Sequence, residues 1–172
     1  LPLPDSAGIP PSTVQNTIIL PQNDFASCER ILRENAWDTA CVIMELQSGA
    51  GGIVVLDREF VQGIRALTEE LGILMIVDET ITLRADFHGM QYVWGVKTDL
   101  TVMGKIIGGG FPLGAVGGRE KYLYVTENGQ VQLSGTHQGH PLALIAGIAC
   151  LETMDKSAYM RLNDNAFRIK QA

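Results

Sequence analysis

Positive charge is scarce in this chain: Lys and Arg number 13 against 19 Asp and Glu, for a net charge of −6 over 172 residues. A nucleic-acid surface needs a basic patch, so that class of partner is excluded. Long hydrophobic runs are missing too. No stretch reaches the ~18 continuous apolar residues of a membrane span. The opening LPLPDSAGIPPS lacks the basic start and apolar core of a secretion signal. Cysteine is sparse, with Cys28, Cys41 and Cys150 widely spaced, odd in number and without a CxxC pair. That pattern argues against a disulfide framework or zinc site and leads us to expect buried, reduced thiols in a cytoplasmic protein. A starting methionine is absent and the final FRIKQA falls inside a helical pattern, so the chain reads as a piece of something longer.

What is present is ordinary globular material, 46% hydrophobic and 19% charged, without internal repeats or low-complexity segments. The length suits one domain, 1–172, with an extended lead-in over 1–12 that holds four of the seven prolines. TVQNTIIL (13–20) predicts a short β-rich run. Asp24 is placed to cap a helix through Asn35 that presents Phe25, Cys28, Ile31 and Leu32 on one face. TACVIMEL (39–46), ILMIV (73–77) and DLTVMG (99–104) are continuous apolar runs of strand length, which predicts a sheet covered on both faces. Between the first two, Asp57 is placed to cap a helix with apolar residues at helical spacing, and Gly72 closes it. A strand near Gly114–Val116, a helix near Arg119–Val125 and a helical segment over 140–172, broken near Asp155, complete the chain. Strand, helix, strand, helix, strand defines an α/β class with a mostly parallel sheet and flanking helices. In such sheets ligands sit beyond the carboxyl ends of the strands, where Asp78 and Lys105 both fall.

Lys105 is a lone cation between an apolar run and a glycine cluster in TVMGKIIGGGFPLGAVGG (101–118). Burying an unpaired ammonium is costly, so a partner, a covalent bond or a route to water is required. A phosphate-binding P-loop is excluded, because Asp99 stands at its first glycine and Ile106 follows the lysine. A dinucleotide fingerprint is excluded as well, since Leu113 replaces its third glycine and GAGG (49–52) fails in the same way. The remaining mechanism is a Schiff-base lysine for pyridoxal 5'-phosphate (PLP). It needs an amine of lowered pKa at a strand end and a carboxylate against the pyridine nitrogen.

The stretches DETITLR (78–84), DLTVMGKIIGGGFPLGAVGGR (99–119) and GTHQGHPLALIAGIACLE (135–152) resemble successive blocks of class III, fold-type I, PLP-dependent aminotransferases. The nearest branch is that of glutamate-1-semialdehyde aminomutases and their amino-acid transaminase relatives, and residues 40–79 follow its pattern too. The resemblance implies a truncated large domain of that fold. It implies that Lys105 forms the Schiff base and shuttles a proton, and that Asp78 pairs with the pyridinium nitrogen. Thr80, where the family usually has valine, would lie against the ring. Thr136, with Gly135 allowing close approach, would donate to the cofactor phosphate across a homodimer interface. Glu45 matches a family glutamate whose role stays open, and Glu79 keeps the Asp-Glu pair intact. The family's upstream phosphate-binding segment, its ring-stacking aromatic and its small domain have no counterpart in these residues.

Other residues carry weaker signals. Arg84 is a candidate for a substrate carboxylate, against the plainer reading of a solvated loop arginine. His88, His137 and His140 lack neighbouring ligands at metal spacing, so no metal is expected. Trp94, Tyr92, Tyr122 and Tyr124 read as packing residues. Two functions remain open. One is a transaminase moving an amino group between an amino donor and a keto acid or aldehyde, as a homodimer or larger, or a mutase of the same chemistry. The other is a catalytically inactive remnant.

Overall fold

The computed structural model describes residues 2–4 and 6–172, so Leu1 and Asp5 of the lead-in lie outside the described residues. Four strands form one sheet in the order β1 (Cys41–Glu45), β2 (Leu74–Asp78), β3 (Leu100–Met103) and β4 (Ala115–Gly118). The first three are parallel and β4 runs antiparallel to β3. Helices flank it in the pattern the apolar runs predict. No helix among the described residues is long and apolar enough to cross a membrane.

The core lies between the sheet and two helices, α2 (Phe25–Asn35) and α3 (Arg58–Leu71). Asp24 starts α2, its Oδ1 accepting the Ser27 amide at 3.1 Å. Asp57 starts α3 without a side-chain cap bond, and Gly72, with φ +72°, ends it in the left-handed turn that glycine adopts without steric cost. The inner face of α3 buries Phe60, Val61, Ile64 and Leu67 against Val42, Met75 and Val77 of β1 and β2. Each such side chain contributes about 1.5–3 kcal/mol by leaving water.

Coverage of the sheet is one-sided where the continuous apolar runs predicted two covered faces. Burial alternates along β2, and on β1 Ile43 is 62% exposed beside buried Val42. Residues 13–20 also differ from expectation. Pro11 starts a single helical turn, α1 (Pro11–Val14), and Ile18 and Ile19 stay exposed because no strand lies beside them to pair with. The segment HGMQYVWGV yields one turn only, α4 (Met90–Val93), with Trp94 packed on the core and Tyr92 exposed. Tyr124 is exposed and Tyr122 half-buried. Of the three thiols only Cys28 is buried. After α5 (Glu120–Glu127), the C-terminal helical segment divides into α6 (Pro141–Thr153) and α7 (Lys156–Gln171). The break falls at Asp155, whose side chain caps α7 through the Ala158 amide.

A buried carboxylate at the amino edge of the sheet ties three elements together. Asp99 Oδ2 accepts from Arg65 of α3 at 2.7 Å and from the Met75 amide of β2 at 2.9 Å, and Arg119 approaches Oδ1 at 3.5 Å. Burial alone would raise this carboxyl, but the Met75 amide and the two guanidinium groups outweigh it and hold it below the ordinary 3.8. Asp99→Ala leaves Arg65 buried without its partner, at an expected cost of about 3 kcal/mol at pH 7. A depressed folded pKa contributes stability above the unfolded value and loses it as pH falls through the folded one. In urea unfolding, the gap between wild type and variant should therefore be full at pH 7 and narrow below pH 3.8. A pH-independent gap would mean that the charge of Asp99 stabilises nothing.

Candidate active site

The three parallel strands end at a common edge. Glu45 of β1 is in register with Asp78 of β2, and Asp78 with Val102 of β3, so Lys105 lies three residues beyond the partner of Asp78. The Asp78 side chain is half-buried, and its Oδ1 accepts the Thr80 amide at 2.8 Å. Among the described residues nothing donates to its Oδ2. Thr80 leans toward the lysine loop: a Cβ built on Gly104 would stand 3.1 Å from Thr80 Cγ2. Asp78, Thr80 and the backbone leading into Lys105 are thus brought together.

Lys105 is exposed, and no hydrogen bond or ion pair holds its ammonium among the described residues. Water meets the charge, so burial is not what distinguishes this residue. Its backbone is unusual: φ is +48°, in the left-handed region that only Asn23 and Ile53 share among the described non-glycine residues, and it opens a 3₁₀ turn over Lys105–Gly108. A non-glycine residue there costs of order 1–3 kcal/mol and persists only when its surroundings enforce it, a feature concentrated at functional sites.

The two neighbouring acids have other work. Glu45 Oε2 accepts the Gly49 amide at 2.9 Å, which anchors the loop after β1 and supplies the role the residue pattern left open. Glu79 has no solvent exposure and accepts from Thr82 Oγ1 at 2.6 Å, the Met90 amide at 3.1 Å and the Gln91 amide at 2.8 Å. It fastens the segment 80–91 to the end of β2. Consecutive strand residues point to opposite faces, so only one member of an Asp-Glu pair can face the site. That alternation is the signal by which Glu79 could have been assigned this anchoring role from sequence.

The remaining expected residues stand apart. Arg84 is the exposed residue of the 3₁₀ turn Thr82–Ala85, whose Thr82 is buried. Gly135 and Thr136 occupy the exposed loop before α6, and among the described residues no hydrogen bond links them or Arg84 to Asp78 or Lys105. His137 and His140 flank the same loop with rings 5.9 Å apart, whereas His88 packs against Phe87 and Tyr92. A lysine and a carboxylate oxygen, each without a partner among the described residues, and a hydroxyl residue beside the lysine loop therefore lie at the carboxyl edge of a parallel sheet.

Sheet, crossovers and this edge define an α/β architecture with a mostly parallel sheet and a candidate site at the carboxyl ends of its strands. The chain matches the family model for aminotransferase class-III over residues 4–172 and belongs to that family. It is 40% identical to glutamate-1-semialdehyde 2,1-aminomutase of Caldivirga maquilingensis, over 99% of this chain and 40% of that protein. Identity to the enzyme of the same name from Thermodesulfovibrio yellowstonii is 43%, over 93% of this chain and 38% of the relative. Among solved structures, an omega-transaminase from Sphaerobacter thermophilus superposes with a TM-score of 0.85 at 35% identity, covering 90% of this chain and 36% of the other. A transaminase with PLP bound gives a TM-score of 0.84 at 31% identity, covering 89% and 37%. The chain thus spans about two-fifths of the length of the curated relatives it matches.

Glu79→Ala would strand two amides and one hydroxyl in a water-free position, each costing about 1–3 kcal/mol. We expect the amides of 80–91 to exchange much faster in hydrogen-exchange measurements while those of β1 and β2 stay protected. Uniform loosening of both regions would show that Glu79 supports the whole sheet rather than the loop.

Proposed function

We propose that this chain carries the lysine and aspartate of a PLP-dependent aminotransferase that moves an amino group between an amino donor and a keto acid or aldehyde. The observation that carries the reading is Lys105, without a partner among the described residues and held in a left-handed backbone at the strand edge shared with Asp78. The residues present fit the ring end of PLP: Lys105 would hold its aldehyde carbon, Asp78 its ring nitrogen, and Thr80 would lie beside the ring. PLP, when bound, supplies an aldehyde that condenses with amines and a ring that accepts the electron pair of a breaking bond. The Asp78 carboxylate favours a protonated nitrogen by charge, and its fixed Oδ1 leaves Oδ2 to accept that proton's hydrogen bond. Whenever Nζ of Lys105 is free of a covalent partner, it is an amine able to take up and return a proton. Thr136 and Gly135 would serve the phosphate from a partner subunit.

Purified protein mixed with PLP should develop a visible absorption band, and borohydride should fix the cofactor to the peptide containing Lys105. Lys105→Ala should lose both signals with its circular dichroism unchanged. Asp78→Asn should keep the trapped adduct yet exchange the substrate α-proton about 10²-fold or more slowly, in line with loss of a group acting in general acid–base chemistry. No trapped adduct in wild type would favour the inactive remnant, and an adduct on another lysine would overturn the assignment.

The aminomutase names of the relatives favour a second reading, an isomerase of glutamate-1-semialdehyde type using the same residues. Release of a free keto product from a single amino substrate separates transfer from mutation.

The functional unit is read as a homodimer or larger. Support comes from α6, where Leu142, Ile145, Ile148 and Leu151 are each more than half exposed. PLP retention and sedimentation coefficient should fall together on dilution, and Thr136→Ala should weaken retention without unfolding. Full retention by a monomer would remove Thr136 from the phosphate site.

A further inference from the structure

The 3₁₀ turn that begins at Lys105 closes on weak bonds of its own. Ile107 N reaches Gly104 O at 3.3 Å, and Gly109 N reaches Ile106 O at the same length. Such bonds do not by themselves hold a non-glycine residue in the left-handed region. The stronger restraints come from α6. The Cys150 thiol donates to Ile106 O at 3.1 Å. A Cβ on Gly147 would stand 2.7 Å from Ile107 O and 2.8 Å from Leu113 Cδ2, so the Ile107 carbonyl lies directly on the backbone of α6. From the turn's side, a Cβ on Gly109 would stand 2.7 Å from Ala146 O and 3.1 Å from Cys150 Cβ. Residues 143, 146, 147 and 150 share one helix face, and Ala143 and Gly147 on it are buried. Two successive carbonyls after Lys105 are therefore seated against that face, one by a hydrogen bond and one by close approach.

We propose that α6 sets the backbone conformation of Lys105, with Gly147 and Cys150 as positioning residues that aim the lysine amine at the strand edge. The proposal rests on the reading of Lys105 as the residue that holds PLP. Neither residue touches the reacting atoms. Gly147 provides the space in which the Ile107 carbonyl sits, and Cys150 fixes the carbonyl before it. A methyl at 147 collides with the Ile107 oxygen, and the nearest relief is rotation of the turn, which releases Lys105 from its left-handed state.

Two readouts test this on the same full chain. The amide–Hα coupling and Cα chemical shift of Lys105, measured by NMR without PLP, report its φ directly. The pH midpoint of the visible band with PLP reports how the amine is presented to the cofactor. Gly147→Ala should lose the left-handed signature and shift the midpoint, while Glu152→Ala, at an exposed polar position of α6, should change neither. Cys150→Ala should shift the midpoint in the same direction, and Cys150→Ser, which keeps a donor, should restore it toward wild type; this pair decides if Gly147→Ala does not fold. A left-handed Lys105 with a wild-type midpoint in Gly147→Ala, or in Cys150→Ala where Gly147→Ala does not fold, overturns the proposal. Absence of any band in wild type overturns the PLP reading, and with it the amine-aiming role. The coupling and shift then still decide whether α6 sets the backbone.

Discussion

The register between β2 and β3 decides everything at the active edge, and it is pinned at the opposite end of the sheet. The Asp99 amide donates to the Met75 carbonyl and the Asp99 side chain accepts the Met75 amide, while Arg65 of α3 neutralises the same carboxylate. A slip of one residue would break all three bonds and turn every side chain of β3 to the other face. With the amino edge locked, Asp78 necessarily stands opposite Val102, and the chain leaves β3 three residues later at Lys105. The charge cluster at Asp99 has no part in the chemistry, yet the spacing of the two chemical groups depends on it.

Acidic residues at the carboxyl edge divide the labour by where their oxygens are spent. Glu79 spends both oxygens on three donors and has no exposure, so it can only hold the loop. Glu45 spends one on Gly49. Asp78 accepts Thr80 through one oxygen, and nothing among the described residues donates to the other. Charge alone would make all three candidates for pairing with a cation. The count of committed acceptors removes Glu79, and the register of Asp78 with Val102, with Thr80 against Gly104, sets Asp78 rather than Glu45 beside the lysine loop.

Strand and helix positions were legible because the signals were local: apolar runs of strand length, Asp24 and Asp155 as caps, Gly72 as a stop. The failures share a cause. Residues 13–20 have strand composition, but a strand needs a neighbour, and Ile18 and Ile19 have none. Apolar runs imply two covered faces, yet whether a second layer exists depends on residues far away in sequence. Within the site, the strand-end placement of Asp78 and Lys105 could be read directly. The left-handed backbone of Lys105 and the seating of its turn on α6 could not, since both arise from contacts across more than forty residues.

The glycines around Lys105 acquire a physical meaning from this packing. Read as a motif they suggest a phosphate loop, and the spacing rejects it. In the structure they are points of close approach: Gly104 against Thr80, Gly108 against Leu113, Gly109 against Ala146 and Gly118 against the Asp99 carbonyl. Each removes a side chain where two elements must touch. The lysine among them is exposed and stands in a backbone state it would not choose alone. Local preference yields there to tertiary contacts, which is where a functional residue is expected to sit. The cost of that strain is met by the glycines that let β2, β4 and α6 close around it.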